Sequence, residues 1–139
     1  MQLHRETLEK STTADTDILD LTAEVEAVVA AAGLERGWVM VFAPGSTAGI
    51  TTIEYESGCL QDLARAVEQL APRGGDYAHN LRWGDGNGYS HVRAALMGPS
   101  LVLPVDQGQV VHGTWQQIVL CDFDNKPRRR RVLVEVMGP

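Results

Sequence analysis

At 139 residues, with 44% hydrophobic residues, three Trp and 22% charged residues, the chain has the composition of a folded protein and not of a disordered one. One domain spanning residues 1–139 is expected at this length. The formal charge of −6 argues against nucleic acid as the main partner, because affinity there comes from Lys and Arg neutralising phosphates. The longest apolar run near the start, VVAAAG, falls far short of the roughly 20 residues that span a bilayer, so no membrane role is expected. Cys59 and Cys121, in a chain whose start does not resemble a secretory leader, are expected to be reduced thiols in a cytoplasmic protein.

In chain order, residues 2–12 alternate loosely and read as a half-exposed opening strand. Leu21, Val25, Val28, Val29 and Ala32 then recur at helical spacing, with Asp20 or Thr22 as N-cap and Gly33 as the stop. Two β-rich runs follow, Trp38 to Ala43 and Gly49 to Glu56, joined by PGSTA. The next segment carries Leu60, Leu63, Ala64, Val67 and Leu70 on one face before Pro72, the clearest amphipathic helix in the chain. Residues 72–88 contain five glycines and no periodicity, and read as a long loop that Trp83 and Tyr77 would help to order, since both are costly to leave in water. Asn87 stands where it would cap a short helix, SHVRAALM, closed by Gly98 and Pro99. The rest is β: SLVLPV, a DQG turn, one long strand from Gln109 to Phe123, a DNKP turn, and RRVLVEVM. The pattern predicts an α+β fold, an antiparallel sheet with helices on it.

The chemistry-bearing residues are scattered. His79 lies in the Gly-rich loop, and His91 lies four residues after Asn87, so both imidazoles are expected to face one cleft. Two imidazoles plus a carboxylate suit a divalent metal, and imidazole also serves as an acid or base near neutral pH. Each histidine alone has a plainer reading as a surface or structural residue. Glu54 and Glu56 alternate onto one strand face, either solvated or supplying a third ligand or a general base. PGSTAG, which contains Thr47, presents backbone N–H groups but lacks the lysine of a phosphate loop, and reads first as a connector. Gly113 within a strand predicts a bulge that redirects Trp115 and Gln116. RRRR, Arg128 to Arg131, splits between two strand faces and reads as a solvated strand end.

Taken in order, PGSTAGITTIEYE, YAHNLRWGDGNGYSHVRAALMGPS, LVLPVDQGQVVHGTWQQIVLCDFD and PRRRRVLVEVMG resemble the YjbQ family, described as secondary thiamine-phosphate synthase enzymes. The resemblance runs from Ile18 onward. It implies an antiparallel β-sandwich with helices packed on it, a homotrimer, and a polar cleft near a subunit interface. By the same resemblance the family's His-containing loop and helix correspond to His79, Asn87 and His91, and its strand glutamate to Glu54. The candidate catalytic residues are then Glu54, His79, His91 and Gln116; Thr47, Asn87, Arg93 and Trp115 are candidate contacts to a small phosphorylated substrate, and His79, His91 and Glu54 are candidate ligands of a divalent metal, zinc or magnesium. The activity implied joins a pyrimidine pyrophosphate to a thiazole phosphate. The alternative is a non-catalytic ligand-binding or structural trimer. The sequence departs from the common pattern at Gly45, where many members carry His, and at His112, where many carry Leu.

Overall fold

The computed structural model describes all 139 residues. Eight strands and four helices follow in the order β1 (Gln2–Thr12), β2 (Asp17–Asp20), α1 (Thr22–Ala32), β3 (Arg36–Phe42), β4 (Ala48–Ile53), α2 (Ser57–Leu70), α3 (Ala78–Trp83), α4 (Gly88–Met97), β5 (Ser100–Asp106), β6 (Gln109–Val110), β7 (Gln117–Asp122) and β8 (Arg128–Gly138). Two antiparallel sheets form, in the orders β1-β8-β3-β5-β6 and β2-β7-β4. The fold is α+β, a sandwich of antiparallel sheets with helices packed on it.

Strand alternation builds the layers. Val132, Val134 and Val136 of β8, with Val39 and Val41 of β3, turn inward to meet Ile118 and Leu120 of β7, Ala48 and Ile50 of β4, and the Val25, Val28 and Val29 stripe of α1. The intervening residues of β7, Val119 and Cys121, face the opposite way. With Phe123 they form a second core under Leu60, Leu63 and Val67 of α2 and Ala94 and Met97 of α4. QIVLCD is therefore an apolar run buried on both faces, as a central strand between two layers requires. Burial raises the Cys121 thiol to about 12, and both cysteines are unpaired.

Several expected boundaries move. Asp17–Asp20 forms β2, an edge strand paired with β7, which the sequence pattern does not mark. Strand β4 ends at Ile53, so Glu54 and Glu56 are not on a strand. The Glu56 carboxylate caps α2, accepting from the backbone N–H groups of Gly58 and, at 3.1 Å, Cys59. Leu70, placed on the apolar face of α2, is 71% exposed, because the helix outruns the second core by its last turn. Gly33 does close α1 in the left-handed region.

The long loop holds a short helix, α3, yet Trp83 is 65% exposed, so the order of this segment does not come from burying that indole. Local hydrogen bonds supply it: Tyr77 donates its hydroxyl to the Pro72 carbonyl at 2.6 Å, and the Gly88 N–H donates to Asn80 Oδ1 at 2.9 Å. Gly88 is required there, since a Cβ would stand 2.5 Å from Tyr77 Cβ. The expected strand from Gln109 to Phe123 is broken between Val110 and Gln117. Gln116 folds back to accept from the Gly113 N–H at 2.7 Å, closing a turn where two strand residues would otherwise pair.

Candidate functional site

At one end of the sandwich, the connection after β3, helices α3 and α4, and the start of β8 enclose an open cleft of about 420 Å³. Its chemistry-bearing walls are His79, Asp85, Asn87, His91, Asp124, Arg128 and Arg130, with Gly45, Ser46, Thr47 and Trp83 completing it. The α3–α4 turn brings the two imidazoles together, with ring centroids 4.4 Å apart and planes tilted by 41°. Asp85 Oδ1 lies 3.4 Å from His79 Nδ1, a nitrogen that is buried and has no hydrogen-bond partner.

The floor is a buried ionic lattice built from residues of no particular prominence in the sequence, Asp122 and Asp124 at the end of β7. Both are fully buried. Arg130 binds Asp122 with two prongs, Nε to Oδ2 at 2.7 Å and Nη2 to Oδ1 at 2.8 Å, and Thr12 donates to Oδ2 at 2.6 Å. Asp124 accepts from Arg128 Nε at 2.7 Å, Thr47 Oγ1 at 3.1 Å and Asn87 Nδ2 at 3.2 Å. Burial alone would raise the Asp124 carboxyl. The donors from Asn87, Asn125, Arg128 and Thr47 outweigh burial and hold it at about 2. Asp124 is therefore a carboxylate at any ordinary pH, and the amide nitrogen of Asn87 must face it.

This arrangement leaves distinct groups pointing at the cleft. No protein acceptor engages either Nη of Arg128 or the Nη1 of Arg130, and Nη1 sits 3.0 Å from where a Cβ on Gly45 would stand. Asn87, which also lines the cleft, has its Oδ1 buried without a partner. Alternation along β8 explains why Arg128 and Arg130 share the cleft: they occupy the same inward series as Val132, while Arg129 and Arg131 face out, Arg129 pairing with Glu9 at 2.6 Å. RRRR is thus half cleft wall, against the expectation of a solvated strand end.

The remaining candidates separate. Thr47 lines the cleft, but its hydroxyl is committed to Asp124 and, at 2.7 Å, Arg130 Nη2. Asn87 begins α4 without capping it; its amide binds Asp124 instead. Arg93 does not reach the cleft. It is 4% exposed, donates to the Ala71 carbonyl at 2.9 Å and Thr16 Oγ1 at 3.2 Å, pairs with Glu68 and stacks on Tyr89, so it ties α4 to α2. Glu54 is exposed beyond the end of β4 and is not part of the cleft. Gln116 and Trp115 lie in the irregular segment before β7, away from the cleft walls, Trp115 being 69% exposed. His112 holds the same segment to α1, through Glu26 at 3.1 Å and the Gly113 carbonyl at 2.9 Å.

The divalent metal fits this donor set only in part. His79 and His91 are neighbours, but Glu54 is elsewhere, and no group of three His, Cys, Asp or Glu side chains is arranged to hold an ion.

A fold of this kind with a polar end cleft defines a class, and comparison with known proteins places the chain within it. Residues 6–139 match the family model described as UPF0047 protein YjbQ-like, and the chain belongs to that family. It is 38% identical over 121 residues to a UPF0047 protein of Archaeoglobus fulgidus, covering 87% of this chain and 91% of that one. With a UPF0047 protein of Methanothermobacter thermautotrophicus it shares 36% over 138 residues, covering 99% and 94%. Among solved structures, a YbjQ-like protein of Sulfolobus solfataricus superposes with a TM-score of 0.95 at 30% identity, covering 99% of both chains. A YjbQ/UPF0047 protein of Clostridium acetobutylicum gives 0.83 at 32% identity, covering 94% of this chain and 99% of that one. No helix is long and apolar enough to cross a membrane.

Proposed function

We propose that the cleft binds a small phosphorylated ligand and that the His79–His91 pair moves protons on it. The observation that carries this reading is the convergence of unengaged guanidinium edges, from Arg128 and Arg130, on two adjacent imidazoles. Each guanidinium is fixed from behind by a buried carboxylate, so its outer N–H groups are pre-aimed and lose little freedom on binding an anion. Asp122, Asp124 and Asp85 offset the two arginines.

The family resemblance suggests thiamine-phosphate synthase activity, joining a pyrimidine pyrophosphate to a thiazole phosphate. Here Arg128 and Arg130 would stabilise departing pyrophosphate and an imidazole would act as acid or base. Arg93 has no part in this, and no step is routed through a metal, since no three His, Cys, Asp or Glu side chains are arranged to hold one. A homotrimer fits the uncovered outer face of the larger sheet, where Leu3, Met137, Trp38 and Pro104 lie opposite one another across four strands and Leu3 and Trp38 are 55% and 47% exposed.

The test is calorimetric titration of inorganic pyrophosphate into the wild type and Arg128→Gln, followed by a synthase assay. Binding that is present in the wild type and lost in the variant supports the reading. Binding to neither sinks it and favours the non-catalytic trimer, in which Arg128 and Arg130 only neutralise the buried carboxylates.

A further inference from the structure

Eleven residues line the cleft, and only Trp83 is apolar. Its 65% exposure leaves most of a large apolar side chain in water, where it contributes little to the stability of the fold. Helix α3 buries none of its residues, so Trp83 is not an anchor for the fold. Arg82 stands over its indole at 5.4 Å from the ring centroid, which helps fix the ring beside the cleft.

Asn87 adds an independent demand. It is 6% exposed, and with its amide nitrogen fixed on Asp124 at 3.2 Å, Oδ1 is left buried without a partner. That oxygen can only accept. The ionised oxygens that a phosphoryl group turns toward the arginines offer nothing to complete it, whereas an N–H or O–H elsewhere on the ligand does, and leaving such an atom unpaired is costly. The cleft therefore asks for three features together: negative charge opposite Arg128 and Arg130, a flat surface opposite Trp83, and a donor opposite Asn87.

We propose that Trp83 and Asn87 form a ring-recognition subsite. The phosphorylated ligand carries a planar aromatic ring that lies against the Trp83 indole and presents an N–H donor to Asn87 Oδ1. This rests on the reading of the cleft as an anion site. It makes Trp83 and Asn87 the residues that distinguish the ligand from other phosphates, with the arginines holding what all phosphates share.

The experiment titrates the full chain at pH 6 with inorganic phosphate, phenyl phosphate, and the 2-, 3- and 4-aminophenyl phosphates, each beside its methyl isostere. Phenyl phosphate is expected to bind about tenfold tighter than inorganic phosphate, the scale of one stacked ring. One amino isomer is expected to exceed its methyl partner by about fivefold. In Trp83→Ala the ratio of phenyl to inorganic phosphate affinity should fall to about one, and Trp83→Phe should restore most of it; a thermal melt checks that both variants fold. The amino-to-methyl ratio is read on the wild type and does not depend on any variant folding. If the phosphates bind but the ring or the amino group adds nothing, the subsite is overturned and the anion site stands. If no phosphate binds at all, both are overturned.

Discussion

Replacing Asp124 with Asn tests the buried lattice beneath the cleft. The substitution keeps the shape but removes the charge and puts a donor among donors from Arg128, Asn87 and Thr47. Breaking a buried pair of this kind costs about 3–5 kcal/mol, which for a chain of this size lowers Tm by roughly 10 °C or more. The pH dependence separates charge from packing. The Asp124 carboxyl falls from its ordinary 3.8 to about 2 in the folded protein. A depressed carboxyl contributes stability that is fully present above the unfolded value and is lost as pH falls through the folded one. Here that amounts to roughly 2 kcal/mol at pH 5, of which about half is gone by pH 3. Urea unfolding of wild type and Asp124→Asn at both pH values should therefore show the gap between them narrowing by about 1 kcal/mol at the lower pH. A gap that is the same at pH 5 and pH 3 would refute the argument, and the loss would then belong to packing alone.

Four further outcomes follow from the structure. His112 places both ring nitrogens against acceptors, Glu26 and the Gly113 carbonyl, and the hydrogen bond it donates to Glu26 leads in holding its pKa above 6.5. Its contribution to stability is thus present below pH 6.5 and lost as pH rises through the raised value, so melts at pH 6 and pH 8.5 should differ less in His112→Leu than in the wild type. Glu56→Ala removes the cap of α2 and should cost about 1 kcal/mol by urea titration. Gly37→Ala would place a Cβ 1.9 Å from the Met137 carbonyl oxygen, separating β3 from β8, and should reduce the soluble folded yield far more than Gly74→Ala, which meets nothing. Elemental analysis of tag-free protein should find transition metal well below one ion per chain, in line with the two-imidazole donor set; a full equivalent lost in both His79→Ala and His91→Ala would reverse that conclusion.

The sequence was most legible where one face of an element meets a core. The stripes of α1 and α2, the alternating Val39 and Val41 of β3 and the valines of β8 each repeat at the period of their own structure, and burial rewards that period directly. The cleft was legible in part. The α3–α4 turn that brings His79 to His91 is short and local, so the glycines between them signalled it. Arg93 misled because an arginine on a helix beside a histidine carries no mark of which neighbour takes its guanidinium; Ala71, Thr16 and Glu68 take it. Asp122 and Asp124 were missed for the related reason that burying a carboxylate depends on its partners. Those partners arrive from β1, the segment before β4, the start of α4 and β8, and no periodicity within CDFD announces them. The broken strand at residues 111–116 turned on a backbone to side-chain bond, from the Gly113 N–H to Gln116 Oε1, which local propensity does not contain.

The four consecutive arginines opening β8 have an unequal relation to the two things that strand does. Arg128 and Arg130 belong to the inward series that continues as Val132, Val134 and Val136, so cleft and core are written on alternate residues of a single strand. A slip of one residue would turn the valines out to solvent and end the fold. The same slip would withdraw Arg128 and Arg130 from Asp124 and Asp122, so one register serves the core and the cleft together. Mutational drift along β8 should accordingly be strict at the three valines and at Arg128 and Arg130, and permissive at Arg129 and Arg131, which face out.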